Sequence, residues 1–423
     1  MSLRKSELAD NEIQLVEQHL IKGSDPRYGE IDAAAFAAKN LWNAANYVLR
    51  QAFIHENRVV SWKELYAEIK TTEAYQALPR KVSNQVLIQL KTAWSCFFKG
   101  LAAWKKEPDK FLGRPKLPKY KPKSEGRNLL TYESGAVHKR SLKKGLLEVS
   151  SLHLAIPTKH KKVSQVRIVP RNGHYVVEVV YLHEIEPNQA LDETLVAGID
   201  LNLDNLVVLA SNKPGLAPLI VNGRPLKSSN QFYNKTRAQR QRLLLKAQHN
   251  SALLEAITNR RNRRVKDFLH KTSHLVVKKL VEEKIGTLVI GYNPGWKQEI
   301  EIGRLNNQKF VAIPHAQLVE MIAYKARLAG LKVILENENH TSKCSFLDLE
   351  PIGHKARYLG RRIHRGLFRA ADGRLIHADV NAALNIIRKA IPDAFSRGLA
   401  GIAVCPVRVN VFIGPAAKKM GLC

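Results

Sequence analysis

The sequence predicts an α+β chain of several domains, with a helical lobe ahead of a small β-barrel and a C-terminal half in which strands and helices alternate. Three observations carry that expectation. Two long helical stripes precede residue 110, short β-branched runs separated by Gly and Pro fill Leu129 to Tyr181, and apolar runs interleave with helical patterns after Thr194. A chain of 423 residues with 45% hydrophobic content has room for two or three domains with real cores. The boundaries fall at 1–24 for an edge strand of the barrel, 25–110 for the helical lobe, 111–190 for the barrel and 191–423 for the last domain.

Charge narrows the partners. Lys and Arg number 68 against 37 Asp and Glu, a net +31 that solubility alone explains poorly and a polyanion explains well. No uninterrupted apolar stretch reaches the ~18 residues of a membrane span, so nucleic acid is favoured over lipid. Met1 to Asn11 is polar and charged, unlike a signal peptide. Cys96, Cys344, Cys405 and Cys423 lie far apart and form no C-x-x-C pair, which predicts a reduced, cytoplasmic protein.

In chain order, Ile13 to Ile21 reads as an edge strand, and Asp25-Pro26 with Gly29 breaks the chain before a helix over Ile31 to Phe53. A second helix follows from Val82, Val86, Leu90, Ala93, Phe97, Leu101 and Trp104, whose aromatics share the apolar stripe and so belong to a core. Lys105 to Lys123 has no periodicity; Gly113-Arg114-Pro115-Lys116-Leu117-Pro118-Lys119-Tyr120-Lys121 reads either as a solvated connector or as a segment lying along a phosphate backbone. Leu147 to Val149, Val166 to Val169 and Tyr175 to Tyr181 are the barrel strands, and Glu184 to Glu193 is a linker. Leu195 to Ile199 delivers Asp200 at a strand end, Leu206 to Ala210 returns as a hairpin, and Leu219 to Val221 adds a third strand.

A basic helical stretch covers Asn234 to Glu283, with Arg260, Arg261, Arg263 and Arg264 opposite an apolar side of Leu243, Leu244, Leu254 and Ile257. Thr287 to Ile290 is a strand, Gly291 to Gln298 a loop, Pro314 to Gly330 a helix, Leu331 to Leu335 a strand ending in Glu336-Asn337-Glu338, and Asp379 to Ala390 a short helix. That is the element order of a ribonuclease H type fold with Asp200 on its first strand. Ionised acids are seldom buried without a partner, so Asp200 signals a metal or an ion pair, a hydrogen-bonded strand cap being the other reading. Two-metal phosphodiester cleavage needs about three converging carboxylates. Asp200 and Asp379 are well placed. The strand ending at Gly291, Tyr292 and Asn293 offers no third, whereas the next ends in Glu336 and Glu338, which share one face because strand residues alternate, ~6.6 Å apart; an exposed acidic turn is the other reading.

V-A-G-I-D-L-N-L-D-N-L, G-Y-N-P-G-W-K-Q and A-D-V-N-A-A-L-N-I resemble the three nuclease segments of the TnpB family, RNA-guided DNA nucleases of bacterial insertion sequences related to type V CRISPR effectors. G-R-P-K-L-P-K-Y-K and Thr341 to Lys343 match in order, so the resemblance covers nearly the whole chain. It implies a helical recognition lobe, a wedge β-barrel and a split RuvC-like nuclease domain with a helical insertion. The partners it implies are a guide RNA from the transposon end and target DNA, held by a monomer associated with the nucleoid. Two Mg²⁺ ions, which Mn²⁺ can replace, would serve cleavage beside a short flanking motif. Many members carry a glutamate where Gly291 stands. This chain resembles the subgroup with G-x-N-x-x-W-K-Q, in which the acid moves to the strand before T-S-K, giving Asp200, Glu338 and Asp379 as catalytic metal ligands with Glu336 as the alternative. Where common members continue with paired cysteines, this chain keeps only Cys344, and the spacing of His340, His354, His364 and His377 fits no zinc pattern, so no zinc is expected. Arg114, Lys116, Lys119, Tyr120, Lys121, Arg260, Arg261, Arg263, Arg264, Trp296 and Lys297 are the candidate nucleic-acid contacts. A binding protein that does not cut, and a junction nuclease that uses no RNA, are the competing functions.

Overall fold

The computed structural model describes residues 11–244, 250–293 and 312–411. They form two compact units, Glu12–His183 and a second running from Glu184 onward with Asn11.

The first unit begins with β1 (Glu12–Lys22) and the 28-residue α1 (Tyr28–His55). Then come α2 (Trp62–Ile69), α3 (Glu73–Gln76) and α4 (Arg80–Lys106). Ser61 and Glu64 close a capping box on α2, which the sequence reading missed because eight residues carry too little periodicity. Beyond α4 lie β2 (Leu130–Glu133), α5 (Lys139–Lys143), β3 (Leu146–Val149), β4 (Leu152–Pro157), β5 (Gln165–Arg171) and β6 (His174–Glu184). Where the sequence predicts a barrel, the described strands make an open four-stranded sheet, β1-β6-β5-β2, and a separate β3-β4 hairpin. A 3₁₀ turn at Ser134–Ala136 and α5 divert the chain after β2, so β3 meets it only through one bridge, Val137 to Val149. Helices and sheet share one core, in which Ile31, Leu41, Val86, Leu90, Tyr132, Ile168 and Val177 are buried together. Removing that apolar surface from water is the main force holding them, at about 25 cal/mol per Å².

The second unit is a layered α/β domain. Its strands are β7 (Asp192–Asp200), β8 (Asn205–Ser211), β9 (Leu219–Asn222), β10 (Ile285–Gly291), β11 (Lys332–Glu336), a small sheet of β12 (Arg361–His364), β13 (Leu367–Arg369) and β14 (Leu375–His377), and β15 (Val407–Val409). Its helices are α6 (Arg224–Gln241), α7 (Ala252–Glu282), α8 (His315–Leu328) and α9 (Ala378–Ala390). The main sheet runs β11-β10-β7-β8-β9-β15. β7, β8 and β9 are antiparallel, while β10 is parallel to both β7 and β11. The basic stretch expected as one helix is two, because Leu243 and Leu244 form a turn after α6 and Ser251 caps the start of α7. One sheet face is covered by α7 and α8 through Phe268, Leu269, Val276, Leu318 and Ile322, the other by α9 through Val380, Ala383, Leu384 and Ile387.

Candidate active site

Strand alternation decides where the first acid points. Ala197 and Ile199 belong to the core beneath α7 and α8, and Val196 to the core beneath α9, so Gly198 and Asp200 face α9. A Cβ on Gly198 would stand 2.3 Å from the Ala383 carbonyl oxygen and 2.7 Å from Ile387 Cγ1. Glycine is what lets this helix lie against the strand, and with it Asp379, in the helix's first turn, comes close enough for its charge to act on Asp200. Asn202 donates to Asp200 at 2.6 Å. Asp379 accepts from Asn205 at 2.7 Å and from Arg362 at 3.3 Å, while the His377 ring accepts from the Asp379 amide at 3.3 Å.

The third acid arrives differently from the sequence expectation. β11 ends at Glu336, so Glu338 lies in the turn beyond it and period-two spacing does not put the two glutamates on one face. Glu336 sits beside Gly291 in the strand register and turns to Lys389, 3.8 Å away. Glu338 turns inward. Its carboxylate accepts from Asn293 at 3.3 Å, and its amide donates to the same Asn293 side chain at 3.2 Å. Its carbonyl is held by Thr341, whose own carbonyl accepts from Asn385 of α9 at 3.0 Å. Val289 faces α9, hence so does Gly291, and a Cβ on Gly291 would stand 3.1 Å from Glu338 Oε2 and 2.6 Å from Ile386 Cδ1. The glutamate thus places its carboxylate beside the strand end where the sequence offers no acid.

Glu338 and Asp379 lie close enough for their charges to act on Asp200, and Arg362, 3.3 Å from Asp379, opposes them. Burial, and then the charges of Glu338 and Asp379, hold Asp200 well above the usual carboxylate range, against the opposing hydrogen bond from Asn202 and the charge of Arg362. Burial also raises Glu338. Among the described residues no three His, Cys, Asp or Glu side chains form a group that could hold an ion by themselves. Mg²⁺ takes only one or two protein carboxylates and completes its octahedron with water and phosphate oxygens, so it needs no such cage. An all-carboxylate donor set in which Arg362 only partly offsets the negative charge fits Mg²⁺ or Mn²⁺.

Next to Asp379 opens a groove of about 780 Å³ lined by Arg224, Arg362, Arg365 and Arg408. Arg365 and Lys227 grip Asp204 at 2.7 and 2.8 Å. Burial pushes Asp204 up, but the Lys227 hydrogen bond and the Arg365 charge outweigh it and hold the group low. Burial also lowers the His377 imidazole below its ordinary value, with Asp379 opposing. Sequence reasoning missed these arginines, although the run Arg361-Arg362-Ile363-His364-Arg365 was there to read. Of the cluster it chose, Arg260, Arg263 and Arg264 are exposed, whereas Arg261 is not on an outer face. It donates to Asn230 at 2.7 Å and to the Ala312 carbonyl at 2.5 Å, tying α6 to the chain before α8. Trp296 and Lys297 lie outside the described residues.

The segment after Glu338 is knotted by a carboxylate. Glu350 is fully buried and accepts from the amides of Ser345 at 2.8 Å and Leu359 at 3.1 Å, with Lys355 at 3.3 Å. Cys344 is buried too, its thiol directed at the carbonyls of Pro351 and Gly353. Asn381 and Asn385, one helical turn apart and fully buried, both donate to the Cys344 carbonyl at 2.8 Å.

Residues 175–297 match the OrfB_IS605 family, described as a probable transposase, and residues 315–386 match the Cas12f1-like TNB domain. The chain is similar to the CRISPR-associated endodeoxyribonuclease Cas12f2 of Micrarchaeota archaeon (strain CG1_02_47_40), with 24% identity over 53% of this chain and 42% of that one. It is also similar to the TnpB-like protein ORF457 of Acidianus two-tailed virus, 25% identical over 83% of this chain and 81% of the relative. The chain therefore spans less than half of the first relative and most of the second. Among solved structures, a Cas12f1–sgRNA–target DNA complex gives a TM-score of 0.35 at 14% identity, covering 88% of this chain and 98% of that one. The mini-RNA-guided endonuclease CRISPR-Cas_phi3 gives 0.44 at 10% identity, covering 94% of each.

Proposed function

We propose, from its similarity to OrfB_IS605 transposases and to a TnpB-like protein, that this chain is an RNA-guided DNA endonuclease of a mobile element. It uses a guide RNA from the transposon end, reads a short flanking motif and cuts the matched DNA by Mg²⁺-dependent hydrolysis. The observation that carries the reading is the Glu338 oxygen 3.1 Å from where a Cβ at Gly291 would stand. It supports a catalytic set whose third acid has moved rather than vanished. Asp200, Glu338 and Asp379 hold the ions, Asn202 and Asn205 orient two of those carboxylates, and the arginine-lined groove receives strand phosphates. Bound Mg²⁺ supplies an activated water and charge neutralisation at the leaving oxygen. Base pairing with the guide supplies sequence recognition, while the +31 charge supplies affinity for both nucleic acids.

The test starts with the RNA that copurifies. Sequencing identifies the guide, and the complex is then offered matched and mismatched DNA in Mg²⁺. Matched DNA is cut by wild type and is bound but left intact by Glu338→Ala. Guided binding without any cut by wild type overturns the nuclease reading in favour of a targeting protein. Cutting of branched DNA by RNA-free protein overturns the guided reading altogether.

A further inference from the structure

The segment read either as a solvated connector or as lying along a phosphate backbone is strapped down. Between Pro118 and Lys123, four backbone carbonyls face α1 and each is met by a side chain of that helix. Asn46 and Arg50 donate to the Pro118 carbonyl at 3.0 and 2.9 Å, and Trp42 to that of Lys119 at 3.2 Å. Asn43 donates to the Lys121 carbonyl at 2.9 Å and accepts from the Lys121 amide at the same distance. Lys39 donates to the Lys123 carbonyl at 2.6 Å. Asn46 is itself fixed, because the Trp94 indole donates to its carbonyl oxygen at 3.0 Å. Pro115, Pro118 and Pro122 carry no N–H, so the strap has few donors left to satisfy and few conformations to lose.

Turning the carbonyls inward leaves the side chains outside. Arg114, Lys116, Lys119 and Lys123 are exposed, and none of them is ion-paired to a carboxylate among the described residues. The Lys121 ammonium lies 5.0 Å over the Trp42 ring, and the Arg50 guanidinium lies 5.0 Å over Tyr120, which is 43% exposed. No acid occurs between Asp109 and Glu125. Five cations between Arg114 and Lys123, three of them on the strapped part of the backbone, repel one another, and the four exposed ones have no carboxylate partner among the described residues. An anionic partner explains both the charge and the effort spent on ordering it.

We propose that residues 114–123 form a preformed rail for the phosphodiester backbone of a nucleic acid, with Asn43 and Asn46 as positioning residues that keep it rigid. The proposal deepens the nucleic-acid reading above but does not depend on cleavage. Because the rail is ordered before binding, each cation meets a phosphate without first losing backbone freedom. Exposed Tyr120 adds a face on which an unpaired base can stack.

The experiment measures binding of the full chain to single-stranded RNA and to duplex DNA across a salt series. Lys116→Ala/Lys119→Ala/Lys123→Ala touches no interior contact and should flatten the slope of log K against log salt, by about two units on single-stranded RNA and nearly three on duplex DNA. The substrate that responds identifies which backbone uses the rail. Asn43→Ala/Asn46→Ala changes no charge and should weaken binding to that substrate by about tenfold while leaving the slope within one unit of wild type. Unchanged slopes for the lysine variant on both substrates overturn the rail. If the asparagine variant melts like wild type and binds like it too, the positioning role is overturned; if it fails to fold, Asn43→Ala alone carries that arm. Loss of slope in a protein that never cuts would keep the rail and discard the nuclease reading.

Discussion

Replacing Asp200 with asparagine should stabilise the metal-free protein while destroying cleavage. The wild-type carboxylate is half-buried, faces the charges of Glu338 and Asp379, and accepts a hydrogen bond from Asn202 at 2.6 Å. An uncompensated buried charge costs several kcal/mol, and a hydrogen bond to a charged group returns about 1.5–3 kcal/mol of it. Roughly 2 kcal/mol of strain therefore remains, and since each kcal/mol moves the midpoint by about 2–4 °C in a domain of this size, Asp200→Asn should melt about 4–8 °C higher in EDTA. The pH dependence has a definite sign. Because folding raises this acid's pKa, the folded state holds the proton over a window where the unfolded chain has lost it, so metal-free stability falls as pH rises from about 4 through the folded value. Asp200→Asn should abolish that part of the decline. Adding Mg²⁺ reverses the order, since ligand at 100-fold over its dissociation constant adds about 2.7 kcal/mol to whatever binds it. Calorimetry in EDTA and in Mg²⁺ from pH 4 to 8 checks each step. An Asp200→Asn protein that melts at or below wild type in EDTA, with the same pH slope, refutes the electrostatic account of the site.

Glu338→Ala and Asp379→Ala should abolish Mg²⁺-dependent cutting with guided binding intact, whereas Glu336→Ala, whose partner is Lys389, should still cut; a gel assay on matched DNA separates these, and the opposite result for the two glutamates means the acid is misassigned. Affinity for the guide should fall linearly in log–log salt with a steep slope, and weak, salt-insensitive binding would contradict the role given to the +31 charge. Elemental analysis after dialysis should find no zinc, and Glu350→Ala should cost about 2 kcal/mol because it strands the buried Ser345 amide and removes the partner of the Leu359 amide. Hydrogen exchange should then rise across 344–359, a change that chelators alone should not produce.

Asp200 and Asp379 were legible because each ends an apolar pattern with a lone acid, which is a strong signal at a strand end or helix start. Glu338 was legible only through family resemblance, and the strand-face reasoning offered for it fails once β11 is seen to stop at Glu336. The strap escaped detection because its partners are carbonyls, which leave no trace in a side-chain pattern. Arg261 misled for the converse reason. A guanidinium in a basic run reads as surface until its half-buried bonds to Asn230 and Ala312 are visible. The open sheet went unforeseen as well, since strand runs announce themselves while the turns that divert them do not.

Gly291 constrains how the proposed active site could be rearranged. Even a methyl group there would crowd Ile386 at 2.6 Å and the Glu338 carboxylate at 3.1 Å, and a glutamate would bring a second charge into the same space. An acid added at 291 first would meet the carboxylate already there, and Glu338 removed first would leave two carboxylates. On the proposed reading, moving the acid to the strand therefore calls for both changes together, Gly291→Glu with Glu338→Gly.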